Sequence, residues 1–114
     1  MEKLTSCGQT ICPCEDVCPL KRVQNIIGGK WKMRLMCVIE LQGSIRYGEI
    51  KRKVPEITPT MLAQSLKELE EDGMVLRTQY PEMPVRVEYS LTEKGLSIMP
   101  LLTLIKKWGQ EWKE

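Results

Sequence analysis

A mainly α-helical domain closed by a small β-hairpin, an α+β arrangement, is the fold class this sequence predicts, and three observations between Ile57 and Thr92 carry it. Leu62, Leu66 and Leu69 recur at i, i+4 and i+7, the spacing of one buried helical face. Thr58 followed by Pro59 suits a helix start, since a hydroxyl can cap the free N–H groups and proline has no N–H to lose at the first helical position. Gly73 stands where a helix would end in a left-handed residue. From Met74 the apolar period falls to two: Val85, Val87, Tyr89 and Leu91 alternate with Arg86, Glu88 and Ser90. Met74 to Tyr80 is read as the partner strand, and Pro81-Glu82-Met83-Pro84 as the link, too rich in proline to extend either strand.

A helix followed at once by a hairpin is the layout of a winged helix-turn-helix, in which the helix enters the major groove and the hairpin lies over flanking DNA. The polarity of the helix agrees. Thr58, Thr60, Gln64 and Lys67 on its first turns are uncharged or basic, whereas Glu68, Glu70, Glu71 and Asp72 crowd its end. Those carboxylates oppose the helix dipole and would be repelled by phosphate, so only the N-terminal half can face DNA.

The elements before it complete the motif. Leu20, Val23 and Ile27 have helical spacing behind Pro19, and Gly28-Gly29 ends that segment. Lys30 to Leu41 forms a second helix with Trp31, Leu35, Val38 and Ile39 on one face, and Gly43-Ser44 punctuates. Tyr47, Ile50 and Val54 mark a third, stopped by Pro55. After the hairpin, Thr92 caps a last helix in which Leu101, Ile105, Trp108 and Trp112 form a stripe, widened by Ile98, Leu102 and Leu104, with Pro100 forcing a kink or restart. Two tryptophans near a chain end are hard to bury in so small a domain. The stripe, with Leu20, Val23 and Ile27, therefore predicts a homodimer interface rather than a private core.

The chain of 114 residues has room for one modest core, which buries roughly two-thirds of the unfolded surface in a domain of this size. Residues 1–17 read as a cysteine-rich arm and 18–114 as the folded domain. No apolar run approaches the roughly 20 residues of a membrane span, and no signal pattern opens the chain, so a cytoplasmic protein without membrane partners is expected. The net charge is only +2, but Lys30, Lys32 and Arg34 form one basic group and Arg46, Lys51, Arg52 and Lys53 another. The sequence contains no histidine, which removes histidine-based nucleophile activation and histidine metal ligands. No glycine-rich phosphate loop is present. An enzyme is not expected, and Cys12-x-Cys14 lacks the spacing of thioredoxin-type redox motifs.

The ordered set of motifs resembles the HxlR family of bacterial transcriptional regulators, small winged-helix proteins related to the MarR group. The matching residues are Cys18-Pro19, Ile27-Gly28-Gly29-Lys30-Trp31, Gly43 with Arg46-Tyr47, and Leu62-x3-Leu66-x2-Leu69-Glu70-Glu71-Asp72-Gly73. Beyond these come Tyr80-Pro81-x2-Pro84-Val85-x-Val87-Glu88-Tyr89-Ser90-Leu91-Thr92, Gly95 and Trp108-Gly109. The resemblance implies a homodimer, joined through its terminal helices, that binds an operator and represses or activates nearby genes, repression being the leading expectation.

On DNA, Gln64 is expected to pair with adenine through two hydrogen bonds, Thr58 and Thr60 to reach bases or phosphates, and Lys67 to reach guanine or phosphate. Met61 and Ala63 would touch a thymine methyl group, although core packing is an equal reading for Met61. Arg86 near the wing tip suits a narrow minor groove or phosphate. Arg46 and Lys51 are assigned to the backbone at the start of the helix-turn-helix, and Lys30 and Lys32 at the second helix. A dimer would want a pseudo-palindromic site with half-sites about 10 bp, or a multiple, apart. The rival reading is a winged helix that docks a protein instead of DNA.

Of five cysteines, Cys37 reads as a small core residue. Cys7, Cys12, Cys14 and Cys18 admit three readings. One is a thiol switch centred on Cys18, where a helix N-terminus and nearby Lys21 and Arg22 favour thiolate. The second is an inert reduced arm. The third is a four-thiolate zinc site, against which the spacings speak, so no cofactor is expected. In the family resembled, some members sense oxidants or electrophiles at the Cys18 position. The residues specify no small-molecule effector.

Overall fold

Leu35, Met36 and Ile39 are wholly withdrawn from solvent, and the other elements pack around the helix that carries them. The computed structural model describes residues 18–112. Within them α1 spans Pro19–Ile27, α2 Lys32–Gln42, β1 Ser44–Arg46, α3 Tyr47–Lys53 and α4 Pro59–Glu71. The wing strands β2 (Val75–Tyr80) and β3 (Arg86–Leu91) follow, then α5 (Glu93–Ser97) and α6 (Met99–Glu111). The core draws on α2, α3 and α4 through Leu35, Ile50, Leu62, Leu66 and Leu69, and on the sheet through Ile45, Val75 and Tyr89.

The expected helix-turn-helix and hairpin are present, with one strand more than the alternation announced. Gly43-Ser44 does end α2, but Ser44–Arg46 then pairs antiparallel with β3, as Ser44↔Ser90, Ile45↔Tyr89 and Arg46↔Glu88. The sheet therefore runs β1-β3-β2, with β3 in the middle. Three residues are too few to display a period, so no pattern could announce β1. Its one inward residue, Ile45, is buried.

Local signals at the ends of α4 act as expected. Thr58 Oγ1 accepts from the Met61 N–H at 3.1 Å, and Pro59 takes the first helical position. At the other end Gly73 has φ +75°. Its N–H bonds the Glu70 carbonyl (3.0 Å) and the Met74 N–H bonds the Leu69 carbonyl (2.9 Å), the two crossed bonds of a Schellman motif. Thr92 caps α5 by accepting from the Gly95 N–H at 3.0 Å, while its hydroxyl donates to the Gly73 carbonyl. The end of the wing is thereby tied to the end of α4.

The terminal region divides where Pro100 predicts a restart. Ser97 ends α5, and α6 begins afresh at Met99 with Pro100 in its first turn. Met99 and Leu102 enter the core, but every residue from Thr103 to Trp112 is exposed. Ile27, expected at a dimer interface, is instead buried in its own chain beside Trp31, because it lies on the inner side of α1.

Gly95→Ala and Gly73→Ala separate two causes of loss. A Cβ at Gly95 would collide with the Met74 carbonyl oxygen, a backbone atom that cannot swing aside. At Gly73 there is room, and only the positive φ opposes a side chain. Urea unfolding should show Gly73→Ala less stable by about 1 kcal/mol and Gly95→Ala by more, about 1–3 kcal/mol.

Candidate nucleic-acid interface

Helix α4 buries Leu62, Ser65, Leu66 and Leu69 and turns its other side to solvent. The exposed side carries Thr58, Thr60, Met61, Ala63, Gln64 and Lys67. Met61 is 40% exposed, which decides between the two readings of this residue: it belongs to the surface.

Between the start of α4, the β1–α3 junction and the wing lies an open cleft of about 620 Å³, lined among others by Arg46, Tyr47, Ala63, Arg77, Arg86 and Val87. Arg46 is exposed at the point where β1 passes into α3, and the Glu49 carboxylate accepts its backbone N–H at 3.4 Å. Arg77 was missed by the sequence reading. It sits opposite Tyr89 in the β2–β3 register, on the face that packs inward, but beyond the core, so its side chain lines the cleft, with Nη1 donating to Gln79 Oε1 at 3.5 Å. The signal was available in the alternation Val75-Arg77-Gln79, an arginine at an inward position of a strand that outruns its core.

The remaining basic residues differ in how free they are. Lys30 is exposed, with its ammonium 5.0 Å from the centre of the Trp31 ring. Lys51 is half-buried on α3. Lys32 is nearly buried and lies 2.7 Å from Glu68, so the expected phosphate contact from Lys32 is corrected: its charge is spent inside the domain. Arg86 stacks over Tyr80 at 4.1 Å and lies within 3.2 Å of Glu82 and 3.4 Å of Glu88. Two carboxylates meet one guanidinium there.

Glu68 is the hub on the far half of α4. Besides Lys32, it accepts from Gln64 Nε2 at 3.2 Å. The Lys32 ammonium, then the Gln64 amide, hold its carboxyl below the ordinary carboxylate range.

Cys18 is the N-cap residue of α1 and is buried, with its carbonyl accepting from the Lys21 N–H at 3.0 Å. Cys7, Cys12 and Cys14 lie outside the described residues, so the arm and three of the four zinc-ligand candidates lie outside them too. Among the described residues no group of three or more potential ligands could hold a metal. Cys37 is half-buried against the core. Of the expected interface, Leu20, Val23, Leu101, Ile105, Trp108 and Trp112 are exposed, the two tryptophans at 65% and 71%.

A three-stranded sheet, a helix-turn-helix and a cleft between helix and wing define a winged-helix regulator. The chain belongs to the HxlR-like helix-turn-helix family, which it matches over residues 26–114. It is 44% identical over 91 residues to the HTH-type transcriptional regulator YdzF of Bacillus subtilis, covering 80% of this chain and 84% of that protein. The redox regulator HypR in its oxidised form superposes with a TM-score of 0.80 at 41% identity, covering 85% of this chain and 99% of that one. The reduced transcriptional regulator YodB of B. subtilis does so at 0.73 and 33%, covering 91% and 96%. YdzF and YodB are transcriptional regulators, and this chain is one by fold and family. Among the described residues no helix is long and apolar enough to cross a membrane.

The Lys32–Glu68 pair has a pH signature. A depressed carboxyl pKa contributes stability that is complete above the unfolded-state value and is lost as pH falls through the folded-state value. The gap in melting temperature between the natural chain and Glu68→Gln should therefore be constant around neutrality. It should close only as the pH drops into and below the carboxylate range, as followed by circular dichroism melts.

Proposed function

We propose that this chain is a homodimeric, sequence-specific DNA-binding repressor acting on a pseudo-palindromic operator in the cytoplasm. The observation that carries this reading is the exposed N-terminal half of α4 facing the same side as a cleft lined by Arg46 and Arg77. In this proposal Thr58, Thr60, Met61, Gln64 and Lys67 meet base edges and nearby phosphates in the major groove. Arg46, Lys51, Arg77 and Lys30 hold the backbone. Arg86 reaches DNA only by exchanging Glu82 or Glu88 for phosphate.

The dimer is supported by α6 and its C-cap, where Leu101, Leu104, Ile105, Trp108 and Trp112 are largely uncovered by the described residues. A second copy presenting the same stripe would bury them symmetrically. Leu20 and Val23 on α1 extend that patch. Control through Cys18 is supported by the likeness to a protein described as a redox regulator, and Cys7, Cys12 and Cys14 supply thiols for pairing. The step would be oxidation of two thiols to a disulfide, with two electrons and two protons passing to a hydroperoxide, which is reduced to alcohol and water. Native mass spectrometry before and after mild oxidation tests it. A loss of two hydrogens per bridge supports the switch; an unchanged mass, with DNA binding also unchanged, rejects it, and one zinc per chain would assign the cysteines to metal instead.

Operators selected from a random duplex library test the main reading. Arg46→Ala and Arg77→Ala should weaken all sequences alike and each flatten the log–log salt dependence by about one unit. Gln64→Ala should instead cost about 1–3 kcal/mol on the selected site alone. Absence of any DNA retention at low salt would favour a protein-docking winged helix. For the dimer, Ile105→Asp should yield monomers in sedimentation velocity while leaving the far-ultraviolet spectrum of the domain intact; a persistent dimer would place the interface elsewhere.

A further inference from the structure

Gln64 is the side chain best suited to reading bases on α4, and it is not free to turn. Its Nε2 donates to Glu68 Oε2 at 3.2 Å, one helical turn further on. The other oxygen of the same carboxylate, Oε1, holds Lys32 Nζ at 2.7 Å. Lys32 begins α2, and its side chain is only 11% exposed, next to the core residues Trp31, Leu35 and Met36. The chain of contacts therefore runs from Lys32, at the edge of the core, to Glu68 and out to the carboxamide on the proposed groove face.

A glutamine amide has two chemically different ends, and nothing on an exposed helix ordinarily dictates which one faces DNA. Here something does. An ionised carboxylate only accepts hydrogen bonds, so the end of Gln64 turned towards Glu68 must be the NH2 group. Lys32 and Gln64 both favour the ionised form of Glu68. With one amide N–H tied back along the helix, the carbonyl oxygen Oε1 is left as the end able to accept from a base. Turning it round would set a carbonyl against a carboxylate and forfeit the hydrogen bond.

We propose that Glu68, anchored by Lys32, is a positioning residue that presents Gln64 to the major groove as a hydrogen-bond acceptor, so that Gln64 selects a base with an exocyclic amine, adenine or cytosine, against guanine and thymine. The inference rests on the DNA-binding reading above. Adenine offers its N6 amine and cytosine its N4 amine in the major groove, whereas guanine and thymine offer carbonyl oxygens there. An acceptor held in place is matched by the first pair and repelled by the second. Glu68 itself need not touch DNA, and its position on the acidic half of α4 keeps it from phosphate.

The test begins with operators selected by the full-length natural protein and by Gln64→Ala. The position whose preference collapses in Gln64→Ala is the one Gln64 reads. At that position the natural protein should favour the amine-bearing base about tenfold, and replacing that base by its analogue lacking only the exocyclic amine should remove most of the preference. Glu68→Ala should relax the preference to about twofold or less, while affinity for random DNA does not fall, since the change removes a negative charge and frees Lys32. Glu68→Gln, of the same size, guards against misfolding of the alanine variant. Lys32 can only donate and so takes the oxygen of the new amide, leaving its NH2 towards Gln64, which turns the Gln64 amide round and should remove the preference too.

A purely structural role for Glu68 would instead weaken all sequences alike and leave the preference intact, which overturns the proposal. So does a preference that survives removal of the exocyclic amine from the selected base pair, or no position at all that depends on Gln64. If no sequence is enriched in the first place, it is the DNA-binding reading that fails, and this inference falls with it.

Discussion

The pairing of a three-residue strand with the middle of the wing is the constraint on which the rest of this molecule depends. β1 joins β3 over Ser44 to Arg46 and then runs directly into α3. A two-stranded hairpin alone is marginal in water; a third strand and a buried face make it a stable sheet. Because β1 belongs to the connection between α2 and α3, that third strand also fixes the wing to the helix-turn-helix. At the other end Thr92 bonds the carbonyl of Gly73, so β3 finishes against the end of α4. The cleft between Ala63 and the wing residues Arg77 and Val87 lies between these two ties.

Charge in this domain is sorted by packing rather than by amount. With a net charge of only +2, a uniform distribution would attract DNA weakly. Lys32 is matched by Glu68, Arg34 by Glu56, and Arg86 by Glu82 and Glu88. These pairs remove cations from one part of the surface and leave Arg46 and Arg77 beside the N-terminal half of α4, with Lys67 further along the same helix. The exposed pairs contribute little to stability, since solvent screens them and ordering two long side chains opposes them. Their larger effect is on where a polyanion would be held.

The two ends of α6 have different physical roles. Met99 and Leu102 complete the core of their own chain, whereas the ten residues that follow are exposed. A segment that continues outward with two tryptophans and two large aliphatic residues in water is stable only with cover, because most helical stability comes from packing an apolar face. The length of α6 that its own domain cannot use is the length the proposed dimer would use.

Much of the frame was determined by the sequence alone, because the signals involved are local. The period of Leu62, Leu66 and Leu69, the Thr58 cap, the left-handed Gly73, the switch to alternation in the wing and the restart at Pro100 each depend on residues within a few positions of one another. The exposed face of α4 and the apolar stripe of α6 were legible for the same reason. What only the tertiary structure decided involves partners far apart in the chain. β1 has no period of its own and exists because β3 offers it an edge. Ile27 lies on an apolar stripe but belongs to the core, since α1 turns that side inward. Lys32, in a run of basic residues, is neutralised by a glutamate on another helix, and Arg77, in an ordinary strand, is carried past the core into the cleft. Periodicity tells which residues share a face; it takes the assembled fold to say what that face meets.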